Sequence, residues 1–153
     1  MGRRPTGREG PLAFVTDLDT PVLEDADHHH LRRALRLRDG DPVVVADGHG
    51  RWRLARFGDT VVADGEVVTV EAPASPVTVG LTPTKGDRPE WAVQKLTELS
   101  VDRIVILRTE RSVVRWDGDR AAHHLERLRR VAREAAMQSR QVRLPEVVGV
   151  DGL

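Results

Sequence analysis

At 153 residues, with 39% hydrophobic and 31% charged positions, the chain can bury one ordinary core or two small ones. It has no cysteine, which excludes disulfides and thiolate metal sites and suits a cytoplasmic, non-redox protein. No apolar run approaches the ~20 residues needed to cross a bilayer, and MGRRPTGREGP lacks the apolar segment of a secretory signal, so no membrane partner is expected.

In chain order, β-type segments come first. LAFVTD, PVVVAD, RWRLARF and GEVVTVE are rich in β-branched and aromatic residues and predict strands, with DGHG as the hairpin turn between the second and third. One helical stretch, ADHHHLRRALRLRDGD, interrupts them. Its period places Leu31, Ala34 and Leu35 on one face and Arg32, Arg33, Arg36 and Arg38 elsewhere. A compact β-barrel with one helix is the expected first domain. The run His28 to His30 predicts no metal site, because adjacent helical residues point about 100° apart and cannot converge on one ion.

APASP, a connector that neither continues a helix nor joins a central strand, puts the domain boundary near Pro73 to Pro76 and gives domains 1–74 and 75–153. Strand, helix, strand, helix, strand then follow, the order of a parallel α/β sheet. VTVGLTP is the first strand. Asp87 and Glu90 have capping-box spacing and Pro89 suits a first turn, so the next helix is expected to turn Ala92, Leu96 and Leu99 inward. RIVILRT reads as a strand buried on both faces. Asp119 is the expected cap of a long helix with an inward stripe of Leu125, Leu128, Ala132 and Ala135, and LPEVVGV is the third strand. Three such strands and two helices leave one face and one edge poorly covered, so the segment is expected to be the front of a larger domain.

Lys85 and Lys95 are the only lysines beside twenty-two arginines. Compositional accident and a local role are both open readings. A Walker phosphate loop is excluded, because Lys85 is followed by Gly86 and Asp87, a carboxylate where the hydroxyl ligand of magnesium belongs. Net charge is zero overall, yet residues 1–74 carry −3 and residues 75–153 carry +3. Between Arg103 and Arg143, eleven arginines face five carboxylates. Such a tract favours a polyanion through counterion release. The competing reading is a solvated helix face with Glu126–Arg130 and Arg130–Glu134 pairs.

HHLRRALRLRDGD with ADGHGRW, then KGDRPEWAVQKLTELSVDRIVIL, RTERSVVRW, and EAAMQS with LPEV occur in one order along the chain. In these motifs the sequence resembles the bacterial 16S ribosomal RNA uracil-N3 methyltransferases of the RsmE type. The resemblance implies an N-terminal PUA-like, RNA-binding barrel and the first part of a SPOUT α/β domain, whose trefoil knot binds S-adenosylmethionine and which forms a homodimer when complete. It implies 16S rRNA, or the small ribosomal subunit, as partner and uridine N3 as the methylated atom. Three departures stand out. Ser100 occupies the glycine position of TELG, Gln141 stands where arginine is common, and the glycine-rich cofactor region lies beyond Leu153. No cofactor-binding residue is therefore expected in this chain. Residues 1–153 alone are expected to be inactive, and the rival class is a catalytically silent RNA-binding or dimerisation module.

Methylation at N3 needs the imide proton removed and the ring anion stabilised, work suited to a carboxylate and a cation. Lys95, Glu98 and Arg111 are the catalytic candidates; for Lys95 and Glu98, three apart on one helix edge with Gln94, a plain surface ion pair is the competing reading. Arg111 and Arg115 follow the central strand, where open α/β sheets place ligands, and with Arg33 and Arg36 are the RNA-binding candidates. His29 and His30 are expected to border the helix of Arg33 and Arg36. With three Trp, two Phe and no Tyr, base-stacking platforms are not expected. Gln138 and Ser139 read as the close of the long helix.

Overall fold

Two units, Met1–Ala72 and Pro73–Leu153, each hold one sheet in the computed structural model, which describes residues 2–110, 114, 116 and 118–150. The architecture is mixed α/β.

The first sheet is ordered by its most apolar strand. β2 (Pro42–Ala46) pairs in parallel with β1 (Leu12–Phe14) and antiparallel with β3 (Arg51–Arg56). Val43 and Val45 face a core with Ala13, Leu31, Phe57 and Val61. Val44 and Ala46 point to the opposite face, where their register neighbours Leu12, Phe14 and Trp52 are also buried. Burial on both faces explains why this strand reads as an unbroken valine run. β3 is shared by two short strands, β4 (Val62–Ala63) and β5 (Val68–Thr69). β4 went unrecognised in the sequence, since two residues carry no period, and GEVVTVE contributes only Val68 and Thr69 to a ladder.

Asp47 builds the β2–β3 turn. Its Oδ1 accepts the backbone N–H of His49 at 2.8 Å and of Arg51 at 3.0 Å, and its Oδ2 takes the Arg51 Nε at 2.7 Å. Gly48 and Gly50 supply the positive φ values, 77° and 104°, that the reversal requires.

α1 (Asp25–His29) runs into a π-turn, His30–Ala34, where Leu35 N–H bonds to His30 C=O at 3.1 Å. The wider turn breaks the expected apolar face. Leu31 is buried, but Ala34 is exposed and Leu35 is 49% exposed; Leu37 packs on the core instead. The cause is the inserted residue, which rotates Leu35 out of line with Leu31.

In the second unit β6 (Thr78–Leu81), β7 (Arg103–Leu107) and β8 (Glu146–Val150) form a parallel sheet in chain order, joined by α2 (Arg88–Glu98) and α3 (Asp119–Ser139). Ile104 and Ile106 of β7 share a core with Val93 of α2, Leu128 and Ala132 of α3, and Val147 of β8. Both helices therefore cover the same sheet face. On the other face lie Val105, half-buried Leu107 and Val148, and an Arg103–Glu146 ion pair at 3.0 Å.

Several local expectations change. Asp87 makes no side-chain cap bond, and Glu90 instead pairs with Arg127 of α3 at 3.0 Å, so the capping box gives way to an interhelical ion pair. Gly118 holds the cap position of α3 and Asp119 is its first residue. On α2 the fully buried positions are Val93 and Thr97, with Ala92 and Leu96 half-buried, while Leu99 is 76% exposed, because α3 meets the 93/97 stripe. Arg129, not Arg130, takes the Glu126 carboxylate. The Leu125, Leu128, Ala132 and Ala135 stripe does face inward, with Leu125 half-buried.

Ser100 ends α2 at φ 64°, in the left-handed region, and the Val101 N–H closes back on Leu96 C=O at 3.0 Å. This position suits glycine because a Cβ crowds the following carbonyl. Ser100→Gly is expected to stabilise the second unit by about 1 kcal/mol in denaturant titration. Asp47 gives a pH prediction. Burial pushes its pKa up, but hydrogen bonds from the Arg51 side chain and the His49 and Arg51 backbone outweigh this and hold it below the usual aspartate range. Its stabilising contribution is present above the unfolded pKa and lost as pH falls through the lowered folded pKa. Asp47→Asn should flatten the acid limb of a stability–pH curve and lower stability at neutral pH.

Candidate functional site

Parallel pairing brings the carboxyl ends of β6, β7 and β8 to one edge, where such sheets hold ligands. A pocket of about 220 Å³ lies there. Pro83 beyond β6, Ile106 and Arg108 at the end of β7, Gly149 of β8, Leu125 of α3 and Trp116 line it. Gly149 permits close packing, since a Cβ there would sit 3.1 Å from Leu125 Cδ1. Trp116 stacks on His124 of α3 with ring centroids 4.2 Å apart, which fixes one wall. Among the described residues, Arg108 is the only charged one that lines the pocket, and none of the described lining residues is a carboxylate. Its size is below the ~300 Å³ lower range of small-molecule sites, enough for one ring system rather than a whole nucleoside cofactor.

Arg111 and Arg115 lie outside the described residues. Lys95 and Glu98 do meet, with Lys95 Nζ 3.0 and 2.8 Å from the two carboxylate oxygens, and Gln94 is exposed beside them. They sit in the last turns of α2, which leads back toward the amino end of β7, and neither lines the pocket. Lys85 is exposed in the loop that begins with Thr82 and Pro83. Arg33 and Arg36 are exposed in the first unit, as are His29 and His30. The Ser139 hydroxyl donates to Ala135 C=O at 2.7 Å within the last turn of α3.

Part of the basic tract serves the fold. Arg103 pairs with Glu146, Arg127 with Glu90 and Arg129 with Glu126, and Arg129 Nε also donates to Val147 C=O at 3.1 Å. Gln141, which stands where arginine is common in the resembled family, is buried and donates its amide to Glu98 C=O at 3.3 Å, tying the ends of the two helices together. Trp116, His124 and Pro83 escaped the sequence reading. The one signal for the pocket was glycine inside the EVVGV strand, a common mark of close approach.

The class follows from fold and site with the comparisons. Residues 70–152 match the RNA methyltransferase domain model and residues 23–62 the RNA methyltransferase PUA domain model. The chain belongs to the RNA methyltransferase domain family. It is 35% identical over 136 residues to the ribosomal RNA small subunit methyltransferase E of Mycobacterium bovis, covering 84% of this chain and 51% of that protein. The Bacillus subtilis protein of the same name is 30% identical over 142 residues, covering 89% and 56%. The chain thus spans about half the length of these curated relatives. Among solved structures, a probable rRNA-methyltransferase from Porphyromonas gingivalis superposes with a TM-score of 0.75 at 29% identity, covering 91% of this chain and 59% of that one. The methyltransferase E of Neisseria gonorrhoeae, bound to S-adenosyl methionine, gives 0.69 at 27% identity, covering 91% and 62%.

The Lys95–Glu98 pair is half-exposed, so water screens it. A double-mutant cycle with Lys95→Ala and Glu98→Ala is expected to give a coupling of no more than about 0.5 kcal/mol. A coupling above ~1 kcal/mol would assign the pair a larger structural part.

Proposed function

We propose that this chain belongs to an S-adenosylmethionine-dependent enzyme that methylates N3 of a uridine in 16S rRNA of the small ribosomal subunit. In this reading residues 1–74 are a PUA-like RNA-binding barrel, and residues 75–153 are the N-terminal part of a SPOUT domain that dimerises in the whole, cytoplasmic protein. The observation that carries it is the apolar slot, with Arg108 as its one cation among the described residues, at the carboxyl edge of a parallel sheet in a chain of the RNA methyltransferase family.

The chemistry sets clear demands. N3 lies on the pairing edge of uracil, so the base must leave its stack before it can react. A ring-sized apolar slot suits a base turned out in this way. Loss of the imide proton puts negative charge on the ring, and Arg108 at the rim is placed to stabilise it. Arg111 and Arg115, a few residues further on, are assigned to the target base or its phosphates. Arg33 and Arg36 are assigned to RNA contacts of the first unit. A catalytic part for Lys95 and Glu98 requires substrate to reach the last turns of α2, and Lys95→Ala tests this by its effect on methylation.

The described pocket fits S-adenosylmethionine only in part. Among the described residues its lining accepts a flat ring but offers no acceptor side chain for a ribose diol, and its one cation is Arg108. Calorimetry with residues 1–153 is expected to show no saturable micromolar binding, which would amount to about −8 kcal/mol.

The activity itself is best read in the cell. Deleting the gene should remove one N3-methyluridine from small-subunit rRNA, and the wild-type gene should restore it. Arg108→Ala should restore it by less than a tenth. An unchanged methylation pattern after deletion would overturn the reading, and RNA binding that persisted in that case would favour a catalytically silent binding module.

A further inference from the structure

Arginines in the helix of the first unit divide into two kinds. Arg32 is committed to the fold. Its guanidinium pairs with Asp39 at 2.6 Å and Asp59 at 2.8 Å and lies 4.8 Å from the Phe57 ring centroid. Arg33 and Arg36 are exposed and make no ion pair among the described residues, and exposed His29 and His30 lie in the same short stretch.

Arg36 differs from the others in its backbone. Its φ of 57° lies in the left-handed region, directly after Leu35, which closes the π-turn. The next residue, Leu37, sends its N–H back to Leu31 C=O at 3.0 Å and packs its side chain on the core. This is the helix-ending geometry in which the left-handed residue is usually glycine. The chain places glycine at seven other described positive-φ positions, and only Arg36, Ser100 and Arg140 break that habit. Arg140 has bonding partners. Arg36 therefore keeps a strained backbone with no ion pair to offset it.

We infer that Arg36 is retained at this glycine position as an RNA phosphate contact, presented outward by the left-handed turn with Arg33 beside it. The inference rests on the RNA-binding reading above. A guanidinium matches two phosphate oxygens with parallel N–H donors, and the stretch holds no Phe, Tyr or Trp, its exposed rings being the small imidazoles of His29 and His30, so the backbone of RNA is the fitting ligand for Arg36. Strain held at a binding position predicts that stability and affinity move in opposite directions when it is removed.

The experiment uses the whole chain and a fluorescent small-subunit rRNA fragment at several salt concentrations. Arg36→Gly is expected to raise the melting temperature by about 2–4 °C while weakening RNA binding roughly tenfold. It should also lower the slope of log affinity against log salt by about 0.7–0.9, the loss of one phosphate contact. Arg36→Gln keeps the strain and loses the charge, so affinity and slope should fall without the gain in stability. If both variants bind as the parent does, the inference is wrong, and a loss of stability in Arg36→Gln with unchanged binding would make Arg36 a helix-end charge only. A parent chain that binds no RNA would overturn this inference and the RNA-binding reading together.

Discussion

Parallel pairing of β7 with both of its neighbours is the constraint on which the second unit depends. Parallel strands cannot be joined by tight turns, so each connection must return the chain along the sheet, here through α2 and α3. All three carboxyl ends then share one edge. The pocket follows from this, because Arg108, Val114, Trp116 and the first turns of α3 gather where β6 and β8 also end. The same constraint carries the end of α2 to the amino edge and separates Lys95 and Glu98 from that pocket.

The core locks this arrangement through side-chain alternation. Ile104 and Ile106 point to the helices, and Val93, Leu128 and Ala132 meet them there. Burial of each large apolar side chain is worth about 1.5–3 kcal/mol, several times an exposed ion pair. The charged residues therefore refine a packing decided by apolar ones. Glu90–Arg127 and the Gln141 amide on Glu98 C=O hold the two helices in register at opposite ends of α2. Charges not used in this way, such as those of Arg33 and Arg36, are the ones available to a partner.

Much was legible in the sequence because it depends on local period and composition. Strand, helix, strand, helix, strand after APASP, the DGHG hairpin and the inward stripe of α3 all rest on repeats that adjacent residues display. Local rules failed where two alternatives had similar energy. Asp87 and Glu90 had the spacing of a capping box, yet Arg127 offered Glu90 a full charge across the helix pair, which local spacing cannot reveal. In the first unit a helical period put Leu35 inside, and one added residue in the turn gave that place to Leu37.

The sequence by itself determined the two-part division in composition, the family motifs, the parallel α/β order and the buried stripe of the long helix. These follow from chain-local chemistry, in which residue type and spacing suffice. Only the tertiary structure decided which residues line the pocket, that Trp116 rests on His124, that Gln141 is a buried helix tie, and which arginines are bound to carboxylates. Each of these joins residues distant in sequence or places one side chain among several near-equal alternatives. Their positions are set by how the helices pack across the sheet, which no window along the chain contains.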